Sequence, residues 1–144
     1  MNRLFLDSSA FVKLFVQEEG SEEVELFCQK AQTLGLCILA LPETISGLNR
    51  KVREKTLELD DYQLLKKWVD EAIADASIIN LTPDVVSIAT GLLERNRLRT
   101  LDALHIASAK RWKSEIFLSA DKRQIKAAQR EGMNALAVGG VCGP

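Results

Sequence analysis

A single histidine, His105, stands among the 144 residues of the chain. That excludes a histidine-built zinc site and any mechanism that needs two imidazoles. Cysteine is also scarce. Cys28, Cys37 and Cys142 lie far apart with no C-x-x-C spacing, which predicts reduced thiols in a cytoplasmic protein, not disulfides or zinc ligands. Aromatic residues make up only 6%, and no basic-and-aromatic array of the kind that stacks single-stranded bases is visible. Long apolar runs are missing too. Leu34 to Leu41 falls far short of the ~20 residues that span a bilayer, and no basic-then-apolar leader opens the chain. No membrane partner is expected.

What is present is ordinary for a globular domain: 47% hydrophobic and 27% charged residues in 16.0 kDa. A chain of this size buries roughly 68–70% of its unfolded surface, enough for a real core. No internal repeat or long linker divides it. We expect one domain over residues 1–138 and a short tail over 139–144. Net charge is only −1, yet residues 95–130 carry +7 while the segments before and after are acidic. Such a local excess fits either a phosphate-backbone footprint or solvated helix faces.

Apolar runs alternate with helical periodicity. Strands are expected at Met1–Leu6, Leu34–Ala40, Ser77–Leu81, Ile116–Ser119 and Ala135–Val138. Gly35 is read as a turn near the start of the second. Helices are expected from Ala10, from Ser21 as cap to about Gln32, from Pro42 to about Leu57, from Asp60 or Asp61, from Thr82-Pro83-Asp84, from Thr100 as cap to about Trp112, and from Asp121 to Gly132. Strands separated by helices or helix pairs predict an α/β fold: a mostly parallel central sheet in a three-layer α/β/α sandwich.

In such folds ligands bind beyond the carboxyl ends of the strands. Four acids fall there or nearby. Asp7 follows the first strand, Glu43 the second and Asp121 the fourth, while Asp102 sits in an otherwise apolar helical stretch, Leu101–Ala107. Asp7 or Asp121 alone reads equally well as a helix cap. An acid at position 102 costs desolvation unless something compensates it, and carboxylates gathered at one rim repel one another. A divalent cation removes that repulsion. Oxygen ligands without His or Cys point to Mg²⁺ or Mn²⁺, one ion or two.

These residues resemble those of the PIN-domain ribonucleases, and within them the toxins of VapBC-type toxin–antitoxin pairs. The resemblance spans about residues 3–138. It is carried by Leu6-Asp7-Ser8-Ser9-Ala10-Phe11-Val12, Pro42-Glu43-Thr44-Ile45-Ser46, Arg99-Thr100-Leu101-Asp102-Ala103-Leu104-His105 and Phe117-Leu118-Ser119-Ala120-Asp121. Pro42, directly before Glu43, departs from the family pattern and could shift that helix's start.

The resemblance implies a metal-dependent endoribonuclease with Asp7, Glu43, Asp102 and Asp121 as metal-binding and catalytic carboxylates. Ser9 and Ser119 would support them. A cation-activated water would attack phosphorus in line and leave a 5′-phosphate and a 3′-hydroxyl. The resemblance also implies an RNA substrate, a cognate antitoxin and a homodimer. Arg97, Arg99, Lys122 and Arg123 flank the later acids and are candidate RNA contacts. His105 reads as a packed helix histidine, and Trp68 and Trp112 as core or dimer packing.

The alternatives are a PIN-fold scaffold that does not cleave and an Asp-phosphorylated α/β domain. Against the latter, a haloacid-dehalogenase-type phosphatase needs a second Asp where Ser9 stands. A receiver needs a paired early acid and a strand-end lysine that cannot be placed.

Overall fold

The computed structural model describes residues 1–139. Five strands form one sheet: β1 (Arg3–Leu6), β2 (Thr33–Cys37), β3 (Ser77–Ile79), β4 (Ile116–Ser119) and β5 (Ala135–Ala137). Their order is β3-β2-β1-β4-β5, and every neighbouring pair is parallel. Each crossover must therefore travel back over a face of the sheet, and helices make that return. They are α1 (Ser8–Phe11), continued by one 3-10 turn, α2 (Ser21–Lys30), α3 (Ala40–Arg53), α4 (Leu59–Asp75), α5 (Pro83–Arg95), α6 (Thr100–Trp112) and α7 (Lys122–Arg130).

Strand alternation divides the core in two. Leu4 and Leu6 of β1, Leu36 of β2 and Leu118 of β4 meet α1–α4 through Phe11, Val24, Leu48 and Val69. Phe5, Cys37 and Phe117 point the other way, into α5–α7, where Leu92, Ile106 and Ile125 cover them. All of these strand residues are fully buried. The expected three-layer sandwich with helices on both faces is what forms, and its sheet is wholly parallel among the described residues.

Several boundaries differ from expectation. The apolar run from Leu34 leaves the strand at Cys37, and Ala40 is already the first residue of α3. Pro42 is thus the third residue of that helix, still in the first turn, where its missing N–H breaks no bond. It does not displace the helix: the Glu43 N–H bonds the Leu39 carbonyl at 3.0 Å. The same helix ends at Arg53, short of Leu57, and Lys55 turns the chain with φ of 61°. Two caps move by one residue, with Gly20 and Arg99 occupying the positions expected for Ser21 and Thr100. Gly20, at φ 94°, suits the left-handed conformation there.

Gly35 is not a turn. It lies inside β2, and a Cβ there would stand 2.5 Å from the Trp112 ring. The indole of α6 lies against this bare stretch of strand, beside Phe5 at 6.3 Å between ring centroids, with the Arg3 guanidinium 5.4 Å above it. Trp112 is therefore core packing, while Trp68 is 46% exposed. Most of the tail, with Cys142, lies outside the described residues. No described helix is long and apolar enough to cross a membrane.

Candidate active site

The strand order reverses direction between β1 and β4: the chain first builds leftward through β2 and β3, then returns to add β4 and β5 on the other side. Crossovers diverge at such a point and leave a crevice beyond the carboxyl ends of the two strands. Asp7 follows β1 there, and Ser119 ends β4.

Asp7 is 1% exposed and receives four donors. Its Oδ1 accepts from the Ser9 hydroxyl at 2.7 Å and from the Ala10 N–H at 2.9 Å, which caps α1. Its Oδ2 accepts from the Ser119 hydroxyl at 2.6 Å and from Gln124 Nε2 at 2.8 Å. Burial nevertheless pushes its carboxyl above the usual range, against the pull of His105 and these hydrogen bonds. The two serines tie the strand ends together: Ser9 Oγ accepts from the Ala120 N–H and Ser119 Oγ from the Asp121 N–H, both at 2.9 Å.

Asp102, in the first turn of α6, is 7% exposed. Its Oδ1 accepts from Gln124 Nε2 at 3.2 Å and its Oδ2 from Arg99 Nε, also at 3.2 Å. Asp121 caps α7 by accepting the Arg123 N–H at 2.9 Å, so its cap role and its place at the rim coexist. Glu43 reaches in from α3. Its Oε1 accepts from the Ser8 hydroxyl at 2.7 Å and lies 2.5 Å from His105 Nε2. Burial opposes ionisation there, but the bonds from His105 and Ser8 outweigh it and hold the carboxyl below the usual range.

All four acids line a single cavity of about 140 Å³, together with Ser9, Arg99, His105 and Gln124. Four segments far apart in sequence supply its walls. Gln124 and His105 were not singled out as site residues by the sequence. His105 is packed as expected, at 2% exposure, but its Nδ1 has no partner and its Nε2 faces Glu43 and Ser8. Gln124 is neutral and gives no motif, yet it falls three residues after Asp121 on the buried face of α7, where a polar side chain needs a reason.

The donor set is that of a hard divalent cation: carboxylate oxygens without sulfur. Gln124, whose Oε1 is buried and unpartnered, lines the same cavity and offers one more oxygen of the right kind. As the side chains stand, no three His, Cys, Asp or Glu residues among those described close on a point that could hold a metal ion. The Gln124 amide joins Asp7 and Asp102 instead, and the Arg99 guanidinium pairs with Asp102.

Beside this cavity runs a groove of about 910 Å³ between the α5–α6 connector and α7. Arg97, Arg99, Arg123, Lys126 and Arg130 line it, and Arg99 lines both hollows. Arg95 lines it too, but is held by Glu131 at 2.9 Å. Lys122 begins α7 and is half-buried.

Residues 4–130 match the PIN domain family. Ribonuclease VapC46 of Mycobacterium tuberculosis is 31% identical over 139 residues, covering 95% of this chain and 98% of its own. Among solved structures, FitAcB from Neisseria gonorrhoeae superposes with a TM-score of 0.68 at 13% identity, covering 92% of this chain and 96% of its own. VapC20 of Mycobacterium tuberculosis, described as a toxin that cleaves the sarcin–ricin loop, gives 0.65 at 17% identity, covering 86% and 94%. At such identities the structures speak for the fold alone, whereas the family match covers most of the sequence and contains all four acids. The crevice at the β1–β4 switch point is thus the acidic centre of a chain that belongs to the PIN domain family.

Proposed function

We propose that this protein is a divalent-cation-dependent endoribonuclease, the toxin of a type II toxin–antitoxin pair. The observation that carries the reading is the convergence of Asp7, Glu43, Asp102 and Asp121 on one cavity that opens beside a basic groove. The near full-length likeness to a protein named a ribonuclease supports it.

Asp7, Asp102 and Asp121 would hold Mg²⁺ or Mn²⁺, with Glu43 as a further ligand or as the group that orients water. A cation held by these carboxylates would lower the pKa of a bound water and offset negative charge developing on the phosphate. Glu43 stays ionised because Ser8 and His105 donate to it, so it can accept a hydrogen bond from the attacking water. Ser9 and Ser119 fix the Asp7 carboxylate from both sides. Arg99 spans the cavity and the groove, so its guanidinium can exchange Asp102 for the phosphate of a bound strand. Arg97 and Arg123 would hold neighbouring phosphates, with Lys122 near the start of the same helix.

An antitoxin partner is supported by neighbours such as the toxin–antitoxin complex from Klebsiella pneumoniae, which shares the fold at a TM-score of 0.65. The homodimer rests on the family resemblance.

The test is cleavage of total cellular RNA with Mg²⁺ or Mn²⁺, against EDTA and the Asp102→Asn variant, with product ends mapped. We expect cation-dependent cuts bearing 5′-phosphates in the wild type and none in the variant. Intact cleavage by Asp102→Asn would overturn the assignment. A silent binding module is the competing reading, favoured by the absence of a closed triad of acids among the described residues. It requires that the protein neither cleave RNA nor bind Mn²⁺.

A further inference from the structure

Gln124 is the one side chain of the cavity that joins two of the acids directly. It is 4% exposed and sits in the first turn of α7, three residues after Asp121. Its Nε2 donates to Asp7 Oδ2 at 2.8 Å and to Asp102 Oδ1 at 3.2 Å. Both amide protons are thereby committed to a bridge between two carboxylates. The other end of the same amide, Oε1, is buried and accepts no hydrogen bond. Buried polar atoms without partners are uncommon in folded proteins, and one on a side chain that lines a ligand cavity calls for a partner that arrives with the ligand.

A primary amide is two-faced. A half-turn about its Cγ–Cδ bond, a torsion with a broad two-fold profile, exchanges donor and acceptor at almost constant volume. Facing only carboxylates, the donor end belongs inward. Facing a divalent cation, N–H dipoles point the wrong way, and a neutral amide oxygen is a ligand such ions accept. The backbone need not move, because the Asp121 cap fixes the helix from which Gln124 projects.

We propose that Gln124 is a two-position residue of the cation site: its amide nitrogen bridges Asp7 and Asp102 without the cation, and its Oε1 turns to face the cation, directly or through one water, when it binds. This rests on the divalent-cation reading of the cavity. In the first position Gln124 keeps the two carboxylates at the spacing the ion will find. In the second it supplies an oxygen without adding charge.

The test is Mn²⁺ binding by calorimetry to the full chain, with thermal melts in EDTA, for the wild type, Gln124→Met, Gln124→Glu and Asp102→Asn. Gln124→Met removes both positions, so the EDTA melt falls and Mn²⁺ binding weakens by roughly 10–100-fold. Gln124→Glu removes the donors but keeps an oxygen, so the EDTA melt falls while Mn²⁺ binding tightens. Opposite shifts in affinity with like shifts in stability are what a merely structural glutamine does not produce. Unchanged or tighter binding by Gln124→Met overturns the proposal, the latter making Gln124 a plug and not a ligand.

Should Gln124→Met fail to fold, Gln124→Glu and a wild-type NMR experiment decide it. The Gln124 side-chain NH₂ protons are expected to be protected from exchange in EDTA and to lose that protection with Mg²⁺. Protons that stay protected, or a Gln124→Glu affinity no tighter than wild type, overturn it. If the wild type binds no Mn²⁺, or Asp102→Asn binds it equally well, the cation reading fails and this proposal falls with it. Loss in Asp102→Asn without loss in Gln124→Met overturns only the role of Gln124.

Discussion

Asp7 has four donors and almost no exposed surface, yet burial still raises its pKa. A raised carboxyl binds its proton more tightly in the folded state than in the unfolded chain. The cation-free fold therefore loses stability as pH climbs above the unfolded value of 3.8. Asp7→Asn removes that charge. Its amide oxygen can keep the Ala10 and Ser9 bonds, and a half-turn of the Gln124 amide, which gives up the bond to Asp102, brings Oε1 round to accept the new N–H. We expect the variant to melt higher than wild type in EDTA at pH 7, by roughly 2–4 °C per kcal/mol relieved, while losing Mn²⁺ binding and cleavage. Melts that fall instead would show the carboxylate to be a net stabiliser. Glu43 behaves oppositely, being held ionised by His105 and Ser8. In His105→Phe, burial is left less opposed and the Glu43 carboxyl should titrate higher than in the wild type, read by carboxyl-carbon NMR. At this scale the sequence announced charge but not neutral polarity. Asp102 stood out because it interrupts an apolar helix. Gln124 did not, because an amide in a basic helix looks like one more solvated residue until the fold shows which face is buried.

The elements were legible where periodicity and cap chemistry agreed. Thr82-Pro83-Asp84 starts α5 as expected, with Thr82 Oγ1 accepting the Val85 N–H at 3.3 Å. Thr82→Ala should cost about 1 kcal/mol in chemical denaturation. The run from Leu34 was legible as strand but not in its extent, because Ile38 to Leu41 is equally apolar and an apolar run does not declare where strand yields to helix. Gly35 was misread because its reason lies at Trp112, far along the chain. Gly35→Ala drives a methyl into the indole. We expect a loss of about 1–3 kcal/mol, partly recovered when Trp112→Leu is added. Simple additivity of the two losses would remove Trp112 as the cause.

Across the molecule, the charge imbalance resolves into a basic groove beside an acidic crevice, a contrast that net charge conceals. Glu131 anchors the helical layer behind it, accepting from Arg95 of α5 at 2.9 Å and Lys110 of α6 at 3.4 Å. The Arg95 hydrogen bond, against some burial, holds its carboxyl down at about 2. A lowered carboxyl stabilises the fold above its unfolded value of 4.5, and that contribution is lost as pH falls from 4.5 toward about 2. Glu131→Gln should therefore flatten this part of the acid-unfolding curve and leave neutral-pH slopes unchanged. Fold class was readable from the alternation of strands and helices, but strand order was not, since only packing decides on which side of β1 each new strand is added.

That order also has a consequence in time. Asp7 and Gln124 are separated by 117 residues. At about 5–20 residues per second, roughly 6–23 s of synthesis lie between them. Until β4 emerges, β1 has an open edge, Asp7 lacks Ser119 and Gln124, and the crevice lacks the wall that Asp121 and Gln124 supply. A chain whose synthesis has not yet passed Gln124 therefore holds no assembled centre, which is completed only when the return strand and the helix after it dock.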